Sequence, residues 1–239
     1  MKSAGSKGLV CASMILAGAA HLPMISEARA QVAFTRIQAF GDSYADTGNL
    51  KNILTGLGLW NFPNTVLYPT GRFSGGTNFV DTTSTLLGIP QLNFAIGGAM
   101  TNGNVVLGPT GGFLQVVQQG MLGPINIAPT DLVEISIGGN DARNYYRTIG
   151  GTLAGVPAAA ATSAANATSG INTLVGDGAR TIVFTVGDVS KLPEATGNPN
   201  APVGSAYSQT YNNLMQIALA GVARSGVRVE YIDTNLLGT

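Results

Sequence analysis

Thr35-Arg36-Ile37-Gln38-Ala39-Phe40, followed at once by Gly41-Asp42-Ser43, is a short β-rich run that breaks off in a polar turn. The design recurs downstream. Gln91 to Ala95 runs into Ile96-Gly97-Gly98, and Leu132 to Ile137 into Gly138-Gly139-Asn140. Thr181 to Val186 leads to Gly187-Asp188, and Val227 to Ile232 to Asp233-Thr234. Helical patterns lie between these runs. Phe79, Val80, Thr83, Leu86 and Leu87 share one helical face, as do Tyr207, Tyr211, Leu214, Met215, Ala218 and Val222. Pro157 to Val175 predicts a long Ala-rich helix with Pro near its first turn. Its alternative is an Ala-rich linker, and the strand that soon follows argues against that. Strands alternating with helices predict an α/β domain whose parallel sheet is covered on both faces. No internal repeat or domain boundary interrupts the pattern.

Two longer connections do. Asn52 to Thr77 holds Trp60, Phe62, Tyr68 and Phe73 among Gly and Pro, either as a cover for a substrate site or as aromatics pinning a loop to the body. Thr101 to Pro124 contains Gly108-Pro109-Thr110-Gly111-Gly112, which lacks the following Lys-Ser/Thr of a phosphate-binding loop. Asn166-Ala167-Thr168 has glycosylation spacing, but inside the expected helix it reads as chance.

The chain has 239 residues, with 12 basic and 12 acidic side chains, so its net charge is zero. That balance gives no electrostatic grip on nucleic acid or an anionic membrane. Charged residues make up only 10%, against roughly a quarter in an ordinary domain. At 45% hydrophobic residues the chain still has ample material for a core. A single Cys excludes a disulfide framework and a thiolate zinc cluster.

Residues 1–30 read as a signal peptide. Lys2 and Lys7 precede a mostly apolar run from Leu9 to Ile25, and Ala28-Arg29-Ala30 fits a small-x-small cleavage site before Gln31. Gly18, His21 and Pro23 make that run a poor membrane span, and Gly8-Leu9-Val10 before Cys11 is a weak match to a lipidation site. Export is therefore expected, to the periplasm, the medium or an outer-membrane surface. Both Cys11 and His21 fall in this segment, so the mature chain from Gln31 would contain neither residue type. No later stretch has eighteen unbroken apolar residues, and the mature part is expected to be soluble.

In a doubly wound sheet the C-terminal strand ends open on one edge, where ligands bind. Three such ends carry residues suited to acyl transfer. Ser43 is an exposed nucleophile after a Gly turn, Gly98 offers a backbone N–H free of side chain, and Asn140 offers an amide donor. Each alone is more often an ordinary turn or cap. Their joint appearance at successive strand ends is hard to assign to coincidence.

Phe40 to Asn49 (FGDSYADTGN) resembles the first block of the GDSL-type, or SGNH, hydrolases, with Tyr44 in place of the usual Leu. Asn93 to Ala99 (NFAIGGA) is similar to their second block and Ile137 to Asp141 (IGGND) to their third. Gly71-Arg72-Phe73-Ser74 and the helix after it resemble the lipase-like branch. The resemblance runs from about Thr35 to the end of the chain. It implies a flavodoxin-like three-layer sandwich with a five-stranded parallel sheet, and hydrolysis of carboxylic esters without metal or organic cofactor. It also implies Ser43 as nucleophile and oxyanion donor through its own N–H, Gly98 as backbone donor and Asn140 as side-chain donor. Asp42 and Asp46 are expected to brace the turn.

The family's fourth block, Asp-x-x-His, supplies the acid–base pair and is not found in this sequence, which reaches Thr239 six residues past Asp233. The expectation is a C-terminally incomplete domain over residues 31–239, weak or inactive as an esterase. Asp188 and Asp233, also at strand ends, are poor substitutes because an ordinary carboxylate is too weak a base to activate serine efficiently. Asp233 is instead expected to cap the turn over Asn235-Leu236-Leu237. An exported lipase or esterase acting on a small-molecule or lipid ester is the leading reading, and a longer natural chain would add an outer-membrane β-barrel to this passenger. The alternatives are a non-catalytic glycan- or lipid-binding surface module on the same fold and a structural surface domain.

Overall fold

The computed structural model describes residues 33–61 and 63–236. The expected signal peptide, with Cys11 and His21, lies outside them. In chain order β1 (Arg36–Gly41) is followed by α1 (Asn49–Gly56), α2 (Asn64–Leu67), α3 (Phe79–Leu87), β2 (Gln91–Asn93) and α4 (Phe113–Gln119). Then come β3 (Asp131–Ser136), α5 (Gly139–Arg143), α6 (Val156–Gly176), β4 (Thr181–Val186), α7 (Ala201–Arg224) and β5 (Arg228–Asp233). The strands form one sheet in the order β2-β1-β3-β4-β5, and all four pairings are parallel. This is the flavodoxin-like order, with its switch point between β1 and β3.

The five strands fall within a residue or so of the expected runs, except that β2 ends early. Beyond it the chain still follows β1, since Phe94 N–H donates to Ala39 O (2.7 Å) and Ile96 N–H to Gly41 O (2.9 Å). The Ala-rich segment is a helix, with Pro157 in its first turn and Ala160, Ala164, Ala167, Ile171 and Leu174 on its buried side. The two long connections are not structureless: they contain α2, most of α1, and α4.

Alternation along the central strands divides the core into two layers. Phe40, Ile135, Ile182 and Phe184 pack in one buried cluster with Phe113 of α4, Ile171 and Leu174 of α6, and Met215 and Leu219 of α7. Each such side chain stabilises the fold by roughly 1.5–3 kcal/mol. On the opposite face Ile37, Ala39 and Leu132 meet Val80 of α3. That face is less well covered toward β5, where Arg228, Glu230 and Ile232 are exposed. Among the described residues no helix is long and apolar enough to cross a membrane.

Candidate active site

The site is built where β2, β1 and β3 end side by side. β1 ends in Gly41 at φ +125°, where a Cβ would lie 1.9 Å from Ser136 O of β3. Only glycine allows the two strand ends to stay this close while the chain turns away. Asp42 N–H then donates to Ser136 O (3.0 Å), and Ser43 sits half-buried at the turn. Among the described residues the Ser43 N–H has no protein acceptor.

Asp46 fixes this turn against the next strand end. Its fully buried carboxylate accepts Gly48 N–H and Asn49 N–H, each at 2.6 Å, through Oδ1. Through Oδ2 it accepts Leu50 N–H at 3.1 Å and Gly97 N–H at 2.7 Å. Asn49 Nδ2 donates to Asn93 O (2.9 Å) and Ala95 O (2.8 Å), and Asn93 Nδ2 donates back to Ala45 O (2.8 Å). The first and second motif blocks are therefore one hydrogen-bonded unit. The Gly71–Ser74 stretch joins it: Arg72 pairs with Asp81 in the first turn of α3, and Asn78, the cap of that helix, donates to Asp46 O (3.1 Å).

Gly98, at φ +79°, follows the anchored Gly97, and its N–H likewise has no protein acceptor among the described residues. One residue later Ala99 O accepts Asn140 Nδ2 at 2.9 Å, which brings the third block to the second. Asn140 is buried in the first turn of α5. The turn into α5 is set by Gly138 at φ +107°, where a Cβ would lie 2.4 Å from the ring of Tyr211. Tyr211 holds that position by donating its phenol proton to Ile137 O (3.0 Å). The Asn140 amide is held at both ends, because Arg143 Nη1 donates to its Oδ1 at 3.4 Å. Arg143 is itself paired with Glu194. One of the two Nδ2 hydrogens goes to Ala99 O, and the second is left for another acceptor.

Asp141 braces rather than reacts. It accepts Thr101 N–H (2.8 Å), Thr101 Oγ1 (2.6 Å) and Ser163 Oγ (2.8 Å), linking α5 to α6 and to the chain after Gly98. Burial pushes its carboxyl above the ordinary range. Burial likewise raises Asp42, to about 7, against the opposing pull of Tyr44 N–H and the Arg143 guanidinium. Asp42 and Asp46 both hold the turn, as expected. Asp188 accepts Ser190 N–H (2.9 Å) through Oδ1 and Ser205 Oγ (2.7 Å) through Oδ2, and no hydrogen bond joins it to Ser43 among the described residues. Asp233 accepts Asn235 N–H (2.9 Å), the expected cap. Trp60 and Phe73 pack on the main core, so part of the first long connection is pinned by its aromatics.

Sequence reading missed Arg143 and Asn104. Arg143 had one available signal, its position a single turn after Asn140. Asn104 organises the loop after Gly98 from a buried position. Its Nδ2 donates to Gly97 O (3.0 Å) and Gly111 O (3.1 Å), and its Oδ1 accepts Val106 N–H (2.7 Å) and Leu107 N–H (3.1 Å). No local pattern announces these partners.

Comparison with known proteins agrees with this architecture. The extracellular lipase from Streptomyces rimosus superposes with a TM-score of 0.53 over 85% of this chain and 82% of its own, at 19% identity, a likeness of fold. Acetylajmalan esterase 2 of Rauvolfia serpentina is 35% identical over 123 residues, covering 43% of this chain. Thermolabile hemolysin of Vibrio parahaemolyticus is 32% identical over 117 residues, covering 48% of this chain. The matches span 32% and 27% of those two relatives' own lengths. A family model described as GDSL-like lipase/acylhydrolase matches residues 37–236. The match embraces all three strand-end motifs, and the chain belongs to the GDSL-like lipase/acylhydrolase family.

Proposed function

We propose that the chain carries the nucleophile and oxyanion-binding half of a carboxylic ester hydrolase. The observation that carries this reading is the convergence, at one sheet edge, of a serine with three donors that lack a full complement of protein acceptors: Ser43 N–H, Gly98 N–H and the second Nδ2 hydrogen of Asn140. In the reaction Ser43 Oγ attacks the ester carbonyl carbon and loses its proton to a base. The carbonyl oxygen becomes an oxyanion that the three donors receive, and the alcohol leaves with a proton. Water then cleaves the acyl-serine and restores Ser43. Preformed donors stabilise the developing charge without reorganising, and one such donor is worth roughly 10²–10³ in rate.

No histidine lies among the described residues, and Ser43 Oγ has no hydrogen-bonded base there. We therefore propose that the chain as given is a slow esterase. Residual catalysis of about 10³–10⁴ over water is the scale expected of a serine site without its triad. Export by the N-terminal segment belongs to the same proposal, supported by the Ala28-Arg29-Ala30 cleavage pattern. That no histidine lies beside Ser43 among the described residues is compatible with a second reading, a non-catalytic glycan- or lipid-binding module.

The test is labelling by an ethyl fluorophosphonate, mapped by mass spectrometry, with and without added imidazole as a surrogate base. The expected result is slow modification of Ser43, accelerated by imidazole, abolished in Ser43→Ala and slowed by roughly 10²-fold in Asn140→Leu. A folded chain that stays unlabelled at Ser43 under both conditions overturns the esterase reading in favour of the binding module.

A further inference from the structure

The sheet ends in two unlike edges. β2 closes one side with only three residues, a short edge that offers little to a further strand. β5 closes the other with six, and its register against β4 runs unbroken from Arg228 to Asp233. Its sequence, Arg228-Val229-Glu230-Tyr231-Ile232-Asp233, contains neither Gly nor Pro. Arg228 N–H donates to Arg180 O (2.8 Å), so by alternation Arg228, Glu230 and Ile232 turn their backbone groups toward β4. Val229 and Tyr231 turn theirs outward, and among the described residues no hydrogen bond reaches those backbone groups.

Charges on an edge strand ordinarily keep a second strand away. Here their spacing does the opposite in one register. Because the outward groups belong to odd-numbered residues, an antiparallel copy sets odd residues opposite odd and even opposite even. With Arg228 or Glu230 opposite itself, like charges meet. With Tyr231 opposite itself, Arg228 meets Thr234 and Glu230 meets Ile232, so neither charge gains a counterpart. With Val229 opposite itself, each Arg228 faces the second copy's Glu230. These are the non-hydrogen-bonded positions, where opposed side chains lie closest. Both side chains are available, at 64% and 52% exposed, and they are joined to each other along the strand at 2.9 Å. On the other face Val229 meets itself and Tyr231 meets Val227. All three belong to or pack on the main core cluster, so that apolar layer continues from one copy into the next. We infer that two copies of this chain associate through antiparallel β5 strands about a twofold axis at Val229, forming one continuous sheet tied by reciprocal Arg228–Glu230 ion pairs. β3 and β4 separate β1 from this edge, and antiparallel pairing points the two strand-end edges in opposite directions. Both Ser43 turns therefore stay open.

Sedimentation equilibrium of the purified chain over a concentration series measures the association directly, and a reversible dimer is expected. Arg228→Glu and Glu230→Arg each place like charges at both cross-strand contacts and should raise the dimer Kd by about tenfold or more. The double exchange Arg228→Glu with Glu230→Arg restores opposite charges in the same register and should return Kd to within about threefold of the parent chain. Both side chains are exposed, so the variants keep the fold, which circular dichroism checks. A chain that stays monomeric up to millimolar concentration overturns the inference. So does a dimer that is indifferent to the single exchanges, or one that the double exchange fails to restore.

Discussion

Replacing Asp46 by Asn tests whether one buried carboxylate holds the Ser43 turn to the Gly97-Gly98 strand end. The carboxylate receives four backbone N–H groups, two on each oxygen, at 2.6–3.1 Å. An amide of the same shape accepts on one side only. If its oxygen keeps Gly48 and Asn49, its NH2 faces Leu50 N–H and Gly97 N–H, leaving two buried donors opposed by a donor. Each unsatisfied donor costs about 1–3 kcal/mol. Two of them give about 4 kcal/mol, and some of this returns because a charge that burial disfavours has been removed. A net loss of about 3 kcal/mol corresponds to a Tm lowered by about 9 °C in a domain of this size. Differential scanning calorimetry at pH 8 measures it, and fluorophosphonate labelling of Ser43 in the folded variant should slow in parallel, because Gly97 no longer fixes the Gly98 donor. A Tm within 2 °C of wild type would refute the reasoning, since it would mean that the four N–H groups find other partners without cost.

Two further tests address groups the motifs do not name. Glu134, in the middle of β3, is 3% exposed with Oε2 unpartnered, and burial raises its carboxyl from the ordinary 4.5 to about 7. The folded state therefore holds this proton more tightly than the unfolded chain, and stability falls as pH rises from about 4.5 to 7, by about 3 kcal/mol in all. Glu134→Gln should flatten that part of the urea-unfolding pH profile and stabilise the protein at pH 8. The slope contributed by Asp42 over a similar range should remain, and a variant less stable than wild type at pH 8 would contradict the assignment. Arg143→Met keeps the aliphatic stem but releases Asn140 Oδ1; labelling of Ser43 should slow by about tenfold while Tm moves little, because a partly exposed ion pair contributes only about 0–1 kcal/mol. Unchanged labelling with an unchanged Tm would remove Arg143 from the positioning role.

The strands were legible because each is a short β-prone run that ends in a polar turn, and β4, paired on both sides, is mostly apolar, as a buried parallel strand tends to be. Helix α6 was legible from its alanines and Pro157, and α3 from its period. Helix α1 was not, because it is short and its two buried residues, Leu50 and Leu54, make a single helical repeat inside a Gly- and Pro-rich segment. Helix α7 was read from Tyr207 onward, although it begins at Ala201 with Pro202 in its first turn. Ser43, Gly98 and Asn140 could be singled out because strand-end motifs are local, and local sequence carries their turn chemistry.

What the sequence determined by itself was the order of the strands, the three helices α3, α6 and α7 between them, the three strand-end motifs and the family they resemble. These follow from periodicity and from residues whose neighbours along the chain define their conformation. Tertiary structure decided what holds those motifs together. Asp46 reaches Gly97 across 51 positions, Asn140 reaches Ala99 across 41, and Tyr211 reaches Ile137 across 74. The concavity between α1 and Val106-Leu107 likewise joins Ile53 to Met121, residues that no local pattern connects. Such contacts arise only when parallel strands bring their ends to one edge, so the donors are written in the sequence and their convergence is a property of the sheet.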